Sequence, residues 1–161
     1  MREVTDEFYM TYMNHGRYMG VDKKLVQTEY EQGPKSVITS PSGGQQLPSP
    51  GHYEITGLAW SGAGAVRKVE ITTDGGQTWK DAEIRSAVHR MAHTRFGMSW
   101  NWGGEEHVLM SRCTDEKGQV QPTEAAWNDL WPAGGPRDYA HPNFILPWKL
   151  GRDGKVENGL S

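Results

Sequence analysis

From Lys35 to the end of the chain, turn-forming residues recur at roughly 8–12-residue intervals between short β-branched and aromatic runs, the spacing of an all-β sandwich. Lys35-Ser-Val-Ile-Thr39 is one such run, closed by Pro41-Ser-Gly-Gly44. His52–Ser61 is the next, broken by Gly62–Gly64. Val66–Thr73 and Thr78–Arg85 then flank Asp74-Gly75-Gly76-Gln77, a hairpin turn whose glycines adopt positive φ without steric cost. Trp79 directly follows that turn. A tryptophan there folds beneath the turn, so it is expected in the core with its indole N–H on a nearby acceptor.

In Phe96-Gly-Met-Ser-Trp-Asn-Trp102 large side chains alternate with small ones, the period of a half-buried strand. A further strand is expected over Glu106–Thr114, ending in the turn Asp115–Gly118. Gln119-Val-Gln-Pro122 then opens a long irregular stretch rich in Pro and Trp. Phe144–Leu150 and Lys155–Glu157 close the chain around Gly151–Gly154. About seven strands with no strong amphipathic helix are expected.

Residues 1–33 differ. Phe8, Tyr9, Met10, Tyr12, Met13, Tyr18 and Met19 supply apolar bulk without a sustained period, so this stretch is read as an irregular connector, with one β domain over residues 34–161. A formal charge of −3 leaves no basic surplus for nucleic acid, and no polybasic run suggests a lipid surface. No apolar stretch approaches the ~20 residues of a membrane-spanning helix. Met1–Met10 lacks an apolar secretory core, so an export signal of any parent protein is expected upstream.

The single cysteine, Cys113, excludes an internal disulfide framework and a multi-cysteine metal cluster. Its setting, Val108-Leu-Met-Ser-Arg-Cys-Thr114, reads as a buried strand rather than the exposed, electropositive site of a reactive thiol. His89 and His93 stand four apart, but Arg90-Met-Ala92 between them reads as a loop and no third ligand is evident, so they are taken as loop histidines. Thr72–Trp79 fits the Ser/Thr-x-Asp-x-Gly-x-Thr-Trp pattern of many β-propellers, which raises a carbohydrate-active alternative. Propellers repeat the unit blade by blade, and it occurs once here, so the motif is read as a structural hairpin. No catalytic, cofactor-binding or metal-ligating residue is expected. A stand-alone β-sandwich that binds a partner protein, without a redox role, is the alternative placed ahead of the carbohydrate-active one.

Gly33–Gly44, Tyr53-Glu-Ile-Thr-Gly-Leu-Ala-Trp-Ser-Gly62 and Val66-Arg-Lys-Val-Glu-Ile-Thr-Thr-Asp-Gly-Gly-Gln-Thr-Trp79, in that order, resemble the dimerisation domain of sulfite oxidase-family molybdenum enzymes, especially bacterial sulfite or sulfane dehydrogenases. Trp100-Asn-Trp102, Ser111–Thr123 and His141-x-Asn143-x-Ile145-x-x-Trp148 extend the likeness. Arg2–Tyr12 is similar to the family's connector from its molybdopterin-binding domain. The resemblance implies an immunoglobulin-like (E-set) sandwich, a two-fold homodimer, and a periplasmic parent that oxidises a sulfur compound at a molybdenum–pterin centre and passes electrons to a cytochrome c. It also implies that the molybdopterin and its cysteine ligand lie in a domain missing from this chain, which alone is expected to be inactive. An arginine after a Trp-Asn element helps form the family's anionic substrate pocket, and Arg137, after Trp127-Asn128, is the nearest equivalent. Asp129–Pro136, an irregular Pro- and Gly-rich insertion, shifts it from the usual register.

Overall fold

The computed structural model describes residues 17–19, 25–28, 31–130 and 141–160. In chain order the strands are β1 (Arg17–Met19), β2 (Leu25–Thr28), β3 (Lys35–Ser40), β4 (Gly51–Trp60), β5 (Val66–Thr72), β6 (Lys80–Asp81), β7 (Glu83–Ile84), β8 (Thr94–Trp102), β9 (His107–Asp115), β10 (Trp148–Leu150) and β11 (Val156–Asn158). One short helix, α1 (Glu124–Leu130), precedes β10. β1 and β2 pair with each other, so the connector is not wholly irregular. The sandwich consists of an antiparallel sheet ordered β3-β4-β8-β7 and a second ordered β11-β10-β9-β5-β6. The β-sandwich expected from the strand spacing, immunoglobulin-like as the resemblance implies, is the observed architecture.

Alternation builds the core. On β9, Leu109, Ser111, Cys113 and Asp115 are buried while the residues between them are partly exposed, and β4 does the same with Ile55, Gly57 and Ala59. Of these, Ile55, Ala59, Leu109 and Cys113 meet Val69 and Ile71 of β5 and Phe96 of β8 in one cluster, and Trp102 joins Leu47, Leu150 and Val156 in a second. Gly57 faces Phe96 across the β4–β8 ladder, and a Cβ on it would stand 2.2 Å from the Val37 carbonyl and 2.3 Å from the Phe96 ring. The glycine is thus needed for the ring to fill the core at that level.

The hairpin turn is as expected, with Gly75 and Gly76 at φ 73° and 95°. The strand expected over Thr78–Arg85 is instead two. Up to Ala82, whose N–H donates to the Val69 carbonyl at 2.9 Å, the chain runs beside β5; Glu83 and Ile84 then pair with Gly97 and Phe96 of β8 in the other sheet. Ala82 and Ile84 both pack on the core, so crossing between sheets keeps the apolar side of the segment inward. The irregular stretch after Pro122 contains α1. Thr123 caps it, its Oγ1 accepting from the Ala126 N–H at 3.2 Å, and Glu124 in the first turn suits the helix dipole. Thr followed by Glu-Ala-Ala was the available signal, and the surrounding prolines masked it.

Candidate interaction surfaces

Cys113 has 0% exposure, and burial, aided by the nearby Asp115 charge, pushes its thiol up to about 12. A thiolate is therefore disfavoured at neutral pH, and the residue behaves as a core apolar group, as its sequence setting implies. His89 and His93 are both exposed, the latter edge-on to Trp60 with ring centroids 5.0 Å apart. Among the described residues no group of three or more His, Cys, Asp or Glu side chains is placed to hold a metal ion. Arg137 lies outside the described residues.

Asp74 has a structural task. Its carboxylate accepts from the Thr72 hydroxyl at 2.7 Å and the Thr78 N–H at 2.9 Å, and these bonds, the Thr78 ones foremost, hold it well below the usual carboxylate range. The propeller-like motif is thus a self-contained turn. A cleft of about 740 Å³ lies beside it, where His107 bonds the Thr73 carbonyl at 2.7 Å and Glu105 at 3.0 Å. Its lining mixes acids with Lys149 and Lys155 and presents no nucleophile–base pair of the kind acyl or phosphoryl transfer requires.

The outer faces of the two sheets differ in chemistry. On the β3-β4-β8-β7 face, Arg85 lies flat across Gly97, where a Cβ would stand 2.5 Å from its guanidinium, and reaches Glu54 and Glu83. Ser99 adds a 2.7 Å bond to Glu54, whose carboxyl is held down to about 2, chiefly by Arg85 and next by Ser99. His52 and Asn101 continue the polar surface at 3.0 Å. That ladder is largely self-satisfied, while Val37, Leu58 and Trp60, outward by their parity and only partly buried, make the β3–β4 part of the face apolar.

The other outer face is mixed. Trp79 is half-buried there rather than in the core, contrary to the expectation from its position after the turn. Its parity explains this: Asp81, two residues on, pairs with Glu70, whose carboxylate meets Arg112 on the outer side of β5 and β9. Trp79 shares that side, with the Arg112 guanidinium 4.3 Å above its ring and its indole N–H on the Gly76 carbonyl at 3.1 Å. Met110 and Val120 adjoin it, and a groove of about 660 Å³ runs from Trp79 past Val120 to α1. Arg112 bonds Glu70 through two nitrogens, at 2.7 and 3.1 Å, which fixes the guanidinium over the ring.

At the end where the chain enters the sandwich, the Gly62 N–H donates to the Gln32 carbonyl at 2.9 Å and Lys117 pairs with Glu31 at 3.0 Å. Buried Asp115 organises this end, accepting from Ser61 Oγ at 2.9 Å and from the Lys117 and Gln119 N–H groups at 3.0 Å.

Comparison with known proteins places this geometry. Residues 26–130 match the family described as the Mo-co oxidoreductase dimerisation domain. Mitochondrial sulfite oxidase of Rattus norvegicus is 34% identical over 120 residues, covering 67% of this chain and 21% of that protein. An NAD(P)H nitrate reductase of Hordeum vulgare is 32% identical across 58% of this chain and 12% of its own length. The crystal structure of the sulfane dehydrogenase SoxCD from Paracoccus pantotrophus superposes with a TM-score of 0.79 at 37% identity, covering 89% of this chain and 36% of that one. The chain thus spans about a fifth of the rat relative and about a third of the solved one.

Proposed function

Because this chain belongs to the Mo-co oxidoreductase dimerisation domain family, we propose that it is the pairing module of a molybdenum-dependent enzyme that oxidises sulfite or a related sulfur compound. The observation that carries this reading is the match over residues 26–130, together with a 37%-identical likeness to a sulfane dehydrogenase. The pairing would be two-fold, as in most closed homodimers.

The described residues do not fit a molybdenum cofactor. Cys113 is sealed in the core with a raised thiol, and no cluster of ligating side chains accompanies it. In this reading the molybdopterin belongs to another domain of the parent enzyme, joined to the sandwich through residues 1–33, with residues 34–161 as the dimerisation domain. Arg137 is proposed to reach the substrate, because a guanidinium matches a sulfur oxyanion with two parallel hydrogen bonds. Electron transfer to a cytochrome c and a periplasmic parent complete the proposal. Among the described residues no helix is long and apolar enough to cross a membrane.

Sedimentation velocity tests the pairing. The purified chain is expected at twice its 18.0 kDa mass, with neither bound molybdenum nor sulfite-dependent cytochrome reduction. Stoichiometric molybdenum in the purified chain would overturn the assignment of the cofactor to another domain.

A further inference from the structure

We propose that the loop between β7 and β8 is a surface site for a single cuprous ion, held by the imidazoles of His89 and His93 and the thioether of Met91. This goes beyond the pairing reading and does not depend on it. The loop is short and closed at its base, where the Arg85 N–H donates to the Arg95 carbonyl at 2.8 Å and the Arg95 N–H to Ser86 Oγ at 3.0 Å. Within it a turn at Arg90 and Met91 folds His89 back toward Ala92 and His93. Met91 is the residue that needs explaining. It stands at φ 55°, in the left-handed region that a side chain of its kind adopts at a cost, and it is 74% exposed. Glycine or asparagine would take such a turn more cheaply, and neither would hold a thioether in water. Met98 packs against the core and Met110 is half-buried, whereas Met91 faces solvent.

The two rings beside it are uncommitted. His52 bonds Asn101 and His107 bonds the Thr73 carbonyl and Glu105, whereas among the described residues no hydrogen bond or ion pair engages His89 or His93. The edge-on contact with Trp60, centroids 5.0 Å apart, steadies the His93 ring. Arg90 is drawn away from the ligands: its guanidinium pairs with Glu116 at 3.2 Å and reaches the Ala63 carbonyl at 3.4 Å, which pins the middle of the loop to the end of the sandwich. The donor set then chooses the ion. Among the described residues no third His, Cys, Asp or Glu joins the two histidines, which disfavours zinc. The third donor on offer is a thioether, the soft ligand that selects Cu(I), and imidazole suits copper as well. A monovalent ion also fits a loop that carries Arg90 and Arg95 and has no carboxylate between Ser86 and Arg95.

The experiment titrates the full chain with Cu(I), kept reduced by ascorbate without air, against bicinchoninate, a chelator coloured only with Cu(I); circular dichroism checks folding. The chain is expected to draw copper from the chelator. Met91→Leu, which keeps the bulk of the side chain, and His89→Ala are each expected to weaken that binding at least about tenfold. Copper K-edge absorption of the loaded chain should show a sulfur neighbour in wild type and none in Met91→Leu. Failure of the wild type to draw any copper would overturn the proposal. So would binding that neither substitution alters, which would move the metal to the methionines and histidine of residues 1–19. Weakening by His89→Ala with none by Met91→Leu would remove the thioether, and the cuprous assignment with it.

Discussion

Trp79 shows how one side chain's environment sets its energetic weight. Its ring is roofed by Arg112 and floored by the hairpin, yet it keeps contact with solvent, and its indole bond to Gly76 stays within the turn. Removing it loses a cation–π contact and part of a ring's burial without opening a cavity in the core. Trp79→Ala is expected to lower the unfolding free energy by about 1–2 kcal/mol, below the ~3–5 kcal/mol of a fully buried aromatic. A urea midpoint shifted by the larger amount would place the ring inside the sandwich after all.

Edge strand β3 shows a device at the scale of an element. Its free side would offer unpaired backbone groups to any passing strand. Gln121 closes it: its Oε1 accepts from the Ser36 N–H at 2.8 Å and the Cys113 N–H at 3.1 Å, while its Nε2 donates to the Phe144 carbonyl at 3.2 Å. Further along, the Trp148 indole N–H donates to the Ile38 carbonyl at 3.2 Å. The Ser36 hydroxyl also reaches Ser111 on β9 at 2.9 Å, so the clasp ties β3 of one sheet to β9 of the other. Gln121 is only 2% exposed, and Gln121→Leu would leave buried amides on both strands without acceptors. At about 1–3 kcal/mol for each orphaned group, a loss of at least about 3 kcal/mol is expected in chemical denaturation. A loss under about 1 kcal/mol would mean that water replaces the amide and the clasp is dispensable.

Across the whole molecule, both outer faces carry carboxylates held down by arginine, Glu54 by Arg85 on one and Glu70 by Arg112 on the other. A depressed folded-state pKa means that the unfolded chain binds more protons at acid pH. The stabilisation is therefore complete above the ordinary carboxylate value near about 4.3 and is lost as pH falls toward the folded value. For Glu54 the window runs down to about 2. Glu54→Gln should be less stable than wild type at pH 7, and the gap should close on acidification through that window. A gap that is constant with pH would show that Arg85 gains nothing from the charge of Glu54. Exposure to solvent and salt keeps the effect small.

Local pattern determined a good deal here. The alternation of large residues over Phe96–Trp102, the two glycines after Asp74 and the apolar setting of Cys113 each record a preference that acts over a few residues, so strand positions, the hairpin and the buried thiol were legible in order. The family was legible for the same reason, since its markers are contiguous blocks. Period-two alternation says which residues share a side, but not which sheet a strand joins or which side faces the core. Tertiary structure decided that the segment after Trp79 changes sheets at Ala82 and that Trp79 lies outside with Arg112. It also recruited Gln121, in an unremarkable Gln-Val-Gln-Pro run, to partners 85 residues away on β3. Those outcomes depend on hydrogen bonds and ring contacts between distant segments, which a sequence read a few residues at a time does not contain.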